Sequence, residues 1–219
     1  MIITKQKDFK EIIKNLGGEK KIFLVGCGEC STTCQTGGEK DLLAMKELLE
    51  KEGKAVTGWV IPESPCVASQ VKMAFAKNRQ AMAEADSILV LACGLGIQSV
   101  AENDRQKKTV HTGCDTLFMG EIDKDGVFLE RCSACGDCIL EETGGMCAVT
   151  RCPKGLVDGP CGGTDKGKCE VDKDRDCVWT LIYKALEEKK KLYLLKEIHA
   201  PKDYSKMSKP RKLTLAPRA

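Results

Sequence analysis

The chain has 219 residues, enough for one or two domains, and its formal net charge is only +3. No run reaches the roughly 18 apolar residues that a membrane span needs, and the first residues lack the pattern of a secretory signal. We therefore expect a cytoplasmic protein without a membrane span. Its 14 cysteines are unusual in that setting. Because cytosolic thiols stay reduced, they indicate metal or cluster ligands rather than disulfides.

Apolar periodicity in residues 1–125 predicts alternating helices and strands. Such alternation is typical of a parallel sheet with helices on both faces, so we predict a Rossmann-like α/β domain over residues 1–125. The predicted elements, in chain order, are a helix at Lys7–Leu16, a strand at Ile22–Val25, a helix from about Leu42 to Gly53, a strand at Val56–Ile61, a helix at Val67–Ala85, and strands at Ile88–Ala92 and Thr109–Thr112.

Residues 126–200 have a different character, with 8 cysteines and many glycines but few large aliphatic side chains. A segment this poor in apolar surface needs internal cross-links to offset its chain entropy, so we predict a small Cys-rich, metal-stapled domain. A terminal helix is predicted from Cys177 to about Leu195, with Asp176 as its N-cap. Trp179 and Tyr183 are predicted to complete the core of this domain, in preference to binding a partner.

The remaining residues, 201–219, form a basic tail with a side-chain charge of +5. Its three prolines and lack of periodicity predict an extended segment. Two interpretations are open for it, a solvated tail or an arm that docks on a partner subunit. Nucleic-acid binding is not predicted, because the tail has no interleaved aromatics and the rest of the chain is slightly acidic.

Six cysteines in the first half follow the ends of the predicted strands. Cys27, Cys30 and Cys34 come after the first strand, and Cys66, Cys93 and Cys114 come after the next three in turn. The carboxyl ends of parallel strands share one edge of the sheet, which is where open α/β sheets bind ligands. We predict a metal or cluster site formed by Cys27, Cys30 and Cys34 with Cys66 or Cys93.

Eight cysteines in the second half are enough for two four-ligand sites. The triplet Cys132-x2-Cys135-x2-Cys138 resembles the opening of a bacterial ferredoxin motif, although no Cys-Pro follows three residues later. The other five are Cys147, Cys152, Cys161, Cys169 and Cys177, and the spacing leaves open which of them joins the triplet. The remaining four suit either an iron–sulfur cluster or structural zinc.

Other motifs carry little chemistry. The segments that begin at Gly26 and Gly94 lack the third glycine of a dinucleotide fingerprint. The two histidines, His111 and His199, do not stand at ligand spacing from a cysteine pair, and no acid–base or nucleophile arrangement stands out. We therefore predict no catalytic residue and no cofactor-binding residue other than the metal ligands.

Three long motifs give the chain a family resemblance. They are FLVGCGEC from Phe23, CSACGDC from Cys132, and CPKGLVDGPCGG from Cys152. With these motifs, residues 20–205 resemble the methylenetetrahydrofolate reductase C-terminal domain family, whose stand-alone members are MetV-type small iron–sulfur subunits. The resemblance implies metal ligation by thirteen cysteines, with Cys114 as a bystander: Cys27, Cys30, Cys34, Cys66, Cys93, Cys132, Cys135, Cys138, Cys147, Cys152, Cys161, Cys169 and Cys177.

The resemblance also implies cofactors and partners. It implies two or three [4Fe-4S] clusters, with zinc as an alternative at one four-cysteine site. The expected partners are a larger flavin-containing subunit and an electron donor such as ferredoxin or a further oxidoreductase. The chain would then pass electrons to a flavin that reduces methylene-tetrahydrofolate to methyl-tetrahydrofolate, without itself acting on folate. Two alternatives are a structural zinc-binding assembly subunit and a free ferredoxin-like carrier.

Overall fold

The computed structural model describes residues 1–214 of the chain. The chain divides into two compact units, Met1–Phe118 and Met119–Ala219. Within residues 1–214, no helix combines the length and the apolar character that crossing a membrane requires. Each unit has its own hydrophobic core, and the two are described separately below.

The first unit alternates strands and helices, as its periodicity predicts. Its elements are β1 (Ile2–Gln6), α1 (Phe9–Leu16), β2 (Lys21–Val25), α2 (Cys30–Thr33), α3 (Glu39–Lys51), β3 (Ala55–Val60), α4 (Ala68–Lys77), α5 (Arg79–Glu84), β4 (Ser87–Val90), α6 (Gly94–Asn103), β5 (Thr109–Thr112) and the start of β6 (Cys114–Ile122). The sequence analysis missed β1, α2, α6 and β6.

The main sheet of the first unit has four parallel strands in the order β3-β2-β4-β5. The central strands β2 and β4 consist almost entirely of buried residues, which is typical of a parallel sheet covered on both faces. Alternate β2 side chains belong to opposite cores, since Phe23 packs with α4 and α5 whereas Leu24 packs with α1 and α3. The predicted parallel α/β fold is therefore confirmed.

The predicted helix over Val67–Ala85 is wrong in one respect, because it is divided into α4 and α5 at Asn78. The backbone of Asn78 leaves the helical region with φ −114° and ψ 26°. Its side-chain amide donates to the Ala74 carbonyl oxygen at 2.9 Å, which satisfies the last turn of α4. An asparagine that bonds to the backbone in this way competes with continuation of the helix.

The second unit has little regular structure. It contains the end of β6, which pairs with β7 (Phe128–Cys132) in an antiparallel hairpin, followed by α7 (Ala148–Arg151) and α8 (Val178–Glu188). Its core is a small cluster around Val178, Trp179, Ile182 and Leu186 of α8. Trp179 is buried as predicted, whereas Tyr183 is 48% exposed and does not complete the core. That metal cross-links staple this unit remains a prediction.

Two details of the predicted terminal helix are wrong. The helix ends at Glu188, and a separate 3-10 turn covers Leu192–Lys196. Cys177, rather than Asp176, occupies the N-cap position, and it makes no side-chain capping bond. The Asp176 carboxylate instead pairs with Lys168 at 2.8 Å, which removes it from the helix end.

The basic tail folds onto its own unit over the described residues. It forms a 3-10 turn at Tyr204–Met207 rather than remaining extended throughout. The Asp203 carboxylate caps this turn by accepting from the Ser205 backbone N–H at 3.0 Å. Residues 215–219 of the predicted tail lie outside the described residues.

Candidate metal centres

The first thiol group lies at the carboxyl edge of the four-stranded sheet. Cys27 follows β2 and Cys93 follows β4, and both are buried. In α2, the Cys30 sulfur accepts from the Ile2 backbone N–H at 3.4 Å, and the Cys34 thiol lies 3.8 Å from the Ile2 carbonyl oxygen. The parallel strands therefore gather four of the predicted ligands at one edge. Metal binding by them stays a prediction.

Burial is the main electrostatic influence on Cys27. Desolvation raises the pKa of its thiol above the ordinary value; backbone hydrogen bonds from Ser31 and Glu29 oppose the rise, and the neighbouring Cys30 and Cys93 thiols add to it. The Ser31 side chain is fully buried, and its hydroxyl has no hydrogen-bond partner among the described residues. A sulfur-rich group bound at this edge would give that hydroxyl an acceptor.

The backbone of this edge is closed to phosphate. The amide N–H groups of Gly26, Cys27 and Gly28 donate at 2.9 Å to the carbonyl oxygens of Val60, Gly37 and Pro62, respectively. A phosphate-binding loop needs such groups free to point at the ligand. The glycines here have another function, because a side chain at Gly26 would collide with the Gly37 carbonyl oxygen. They allow two stretches of backbone to approach closely.

Cys66 and Cys114 differ from the other cysteines of the first unit. Cys66 is exposed in the loop before α4, next to Pro65, which packs against the first turn of α6 at Gly96. Cys114 is buried, and its thiol donates to the Thr36 carbonyl oxygen at 3.5 Å. Burial raises the pKa of Cys114 to about 12. A thiol held in its neutral form is a poor ligand, which supports the interpretation of Cys114 as a bystander.

Four cysteines of the second unit line one small cavity. The cavity has a volume of about 20 Å³, and Trp179 and Val178 of α8 form its apolar wall. Room for about one water-sized sphere matches a single ion better than a four-iron cubane. Its thiols belong to Cys152, Cys161, Cys169 and Cys177.

Backbone hydrogen bonds hold three of these four cysteines. The Cys169 N–H donates to Arg175 at 2.9 Å, and the Cys177 N–H donates to Gly167 at 2.8 Å, on either side of an isolated bridge between Lys168 and Asp176. The Cys152 N–H closes the turn of α7. The Lys168–Asp176 bridge and the end of α7 thus position cysteines that are distant in sequence around the same cavity.

Hydrogen bonds at this cavity favour an ionised thiol at Cys177. Burial alone would raise the pKa of Cys177, but backbone hydrogen bonds from Thr180 and Trp179 and the hydroxyl of Thr180 lower it overall. Cys161 receives the Gly163 N–H at 3.4 Å, and its thiol lies 3.6 Å from the Glu170 carboxylate. Glu170 is in turn paired with Lys154. A thiolate is the form that binds metal.

The other four cysteines of this unit are the triplet that begins at the end of β7 and Cys147 before α7. Cys132 ends the strand, Cys135 is 7% exposed, and Cys138 is exposed. Cys147 stands at the N-cap of α7, which packs against β7 and is tied to it by the Thr150 hydroxyl at 3.1 Å from the Arg131 carbonyl oxygen. Helix and strand packing therefore brings Cys147 to the side of the unit that carries the triplet.

Cys135 lies next to two residues that the sequence analysis did not single out. Burial would raise the pKa of Cys135, but a backbone hydrogen bond at Asp137 and the ammonium of Lys202 together lower it. The Lys202 side chain is only 2% exposed. The sequence does show an aspartate, Asp137, inside the cysteine triplet, and a basic tail that contains Lys202. Their positions, 65 residues apart, give no indication that the two side chains are in contact.

Across residues 1–214, no set of three or more histidine, cysteine, aspartate or glutamate side chains is placed so that it could hold a metal ion directly. The donor chemistry nevertheless fits a thiolate-bound metal, because four thiols line a single cavity and two cysteines have lowered thiol pKa values. Coordination would require the side chains of each group to move closer together. The groups are thus suited to soft metals by chemistry and neighbourhood.

Together, fold and site define a mixed α/β protein with a cysteine-rich second unit. Residues 111–205 match the family described as "Methylene-tetrahydrofolate reductase C terminal". This segment is similar to that family, in agreement with the resemblance drawn from the motifs in the second half of the sequence. The match includes all eight cysteines of the second unit. No curated protein and no solved structure matches the chain.

Proposed function

We propose that this chain is the iron–sulfur subunit of a methylenetetrahydrofolate reductase. In this proposal it passes electrons to the flavin of a larger partner subunit, where methylene-tetrahydrofolate is reduced to methyl-tetrahydrofolate. The observation that carries the proposal is the family match over residues 111–205, which contain nine cysteines, eight of them in the second unit. Iron–sulfur clusters supply one-electron transfer, which the partner's flavin would combine into a two-electron reduction.

The structure supports a particular division of the second-unit cysteines in this proposal. Because Cys152, Cys161, Cys169 and Cys177 line one cavity, Cys147 is left as the fourth partner of the triplet. We assign a single zinc ion to the cavity, since its volume of about 20 Å³ suits one ion. The triplet with Cys147 would hold a [4Fe-4S] cluster, with Lys202 beside Cys135 compensating thiolate charge.

A second cluster is proposed at the carboxyl edge of the first unit. Cys27, Cys30, Cys34 and Cys93 are its expected ligands, with Cys66 as the exposed neighbour that could replace one of them. The buried Ser31 hydroxyl would donate to a cluster or thiolate sulfur there, an interaction that raises reduction potential in iron–sulfur sites. Open α/β sheets bind ligands at this same edge.

Metal analysis of anaerobically produced chain tests this function. Iron and acid-labile sulfide near eight per chain, one zinc, and an EPR signal after reduction are the expected results. Cys161→Ser should remove the zinc and leave iron unchanged, whereas Cys135→Ser should lower iron by about half and leave zinc unchanged. Cys114→Ser is the matched control and should retain both metals.

The alternative is a structural zinc-binding assembly subunit, which the small volume of the cavity favours at that one site. A colourless chain that holds only zinc after anaerobic production with iron supplied would establish this alternative and refute electron transfer. The proposal also expects a flavoprotein partner and an electron donor such as ferredoxin. A chain that carries clusters but never forms a complex with a flavoprotein would instead be a free carrier.

A further inference from the structure

The loop from Cys132 to Cys138 has a backbone that is unfavourable without support. Ala134 adopts a left-handed conformation with φ 52°, which is unfavourable for a residue that has a side chain. Gly136 is also left-handed, with φ 82°. A loop with two such residues and exposed cysteines at both ends needs contacts from elsewhere to keep one conformation.

Those contacts come from the basic tail. The Lys206 ammonium lies 2.5 Å from the Asp137 carboxylate, and Lys202 contacts both the backbone carbonyl and the carboxylate of the same residue. Arg211 donates at 2.5 Å to the carbonyl oxygen of the strained Ala134. The tail therefore binds the loop at the residues on either side of Cys135.

The packing between tail and loop is close as well as charged. A side chain added at Gly136 would come within 3.0 Å of the Lys206 carbonyl oxygen, so the two backbones touch there. Arg211 also donates to the Lys206 carbonyl oxygen at 3.3 Å. This bond within the tail joins two residues that both contact the loop. The Lys202 side chain, 2% exposed, is enclosed in this contact.

We propose that Lys202, Lys206 and Arg211 of the tail form an intramolecular clasp that holds the Cys132–Cys138 loop in the conformation its metal site requires. The strained loop, the three basic side chains on it and the buried Lys202 all support the clasp. Its effect on metal binding rests on the function proposed above, whereas its effect on the loop does not. The tail's charges at these positions are thereby used within the chain instead of on a partner subunit.

Two double variants with the same loss of charge test the clasp. Lys206→Ala with Arg211→Ala removes its exposed contacts, and Lys209→Ala with Lys212→Ala is the control, since both control lysines are exposed tail residues. Amide hydrogen exchange of the peptide covering residues 132–138 is measured in the metal-free full chain. We expect about tenfold faster exchange in the clasp variant and no change in the control. Equal exchange in the two variants would overturn the clasp.

Metal occupancy provides the second readout, on chain produced anaerobically with iron and zinc supplied. The clasp variant should lose at least half of the metal bound at the triplet, while the zinc assigned to the Cys152 group remains. If the clasp variant exchanges faster but keeps all of the metal at the triplet, the metal site does not require the clasp, and that part of the proposal is overturned. If the unaltered chain binds no iron, the proposed function fails, but the exchange experiment still decides the clasp.

Discussion

The close packing behind the first thiol group makes a sharp prediction for Gly37→Ala. A Cβ at Gly37 would overlap the carbonyl oxygen of Leu91 and lie 2.9 Å from the Ser31 Cβ. Carbon atoms pack at about 3.5–4.0 Å, and a backbone carbonyl cannot rotate away as a side chain can. The segment after β4 or helix α2, which carries Cys30 and Ser31, must therefore shift.

Overpacking of a well-packed site costs about 1–3 kcal/mol, and two simultaneous overlaps, one with backbone, place Gly37→Ala at about 3 kcal/mol. The matched control is Gly18→Ala, because a Cβ at Gly18 meets nothing within 4 Å. We expect the control to change stability by less than about 0.5 kcal/mol.

The chain offers a separate fluorescent reporter for each unit, since its two tryptophans are Trp59 in β3 and Trp179 in α8. In a Trp179→Phe background, urea unfolding followed at Trp59 reports the first unit. With an m-value of about 2 kcal/mol/M, a loss of about 3 kcal/mol lowers the midpoint by about 1.5 M. A Gly37→Ala midpoint within about 0.3 M of the Gly18→Ala midpoint would refute the close-packing argument.

Three further predictions concern the cores and the cysteines. Ile182→Ala removes a fully buried side chain of the second unit and should lower its free energy of unfolding by about 2–5 kcal/mol. Trp179 fluorescence during urea unfolding measures this loss. The control Tyr183→Ala changes a half-exposed side chain and should cost far less. Because the pKa of Cys114 is raised from 9.0 in the unfolded chain to about 12 in the folded chain, its neutral thiol favours the folded state; that stability is present below pH 9 and is lost between pH 9 and 12. The urea midpoint should therefore decrease less between pH 8 and pH 10.5 in Cys114→Ala than in the unaltered chain. An equal decrease in the two would contradict the raised pKa of Cys114. In the metal-free native chain at pH 8, iodoacetamide should modify exposed Cys66 at least about tenfold faster than buried Cys114, as mass spectrometry of the two peptides can measure.

Local patterning was sufficient for the sheet of the first unit. The runs around Phe23 and Leu89 are apolar on both faces, and such runs form central parallel strands whatever surrounds them. The cysteines that follow these strands could then be placed at one edge from topology alone. The division of the predicted long helix could not, since it depends on one side-chain bond of Asn78 to the preceding turn.

Contacts between distant residues explain what the sequence did not reveal. Strand β1 has no long apolar run, and its strand conformation depends on a neighbour, β6, more than a hundred positions later. The eight cysteines of the second unit could be counted but not divided, because the division depends on a short bridge at Lys168 and on the packing of α7. The tail's charge was evident, but its acceptor, Asp137, was one of 32 carboxylates.

The position of Lys202 and Arg211 has a consequence for synthesis of the chain. Lys202 is 65 residues after Asp137, and Arg211 is 77 residues after Ala134. At roughly 5–20 residues per second, translation takes about 3–15 seconds to cover that interval. During this time the nascent triplet of thiols is open to oxidants and to competing metals. Under the proposed function, the triplet would therefore be complete for several seconds before the clasp could hold its loop for metal binding.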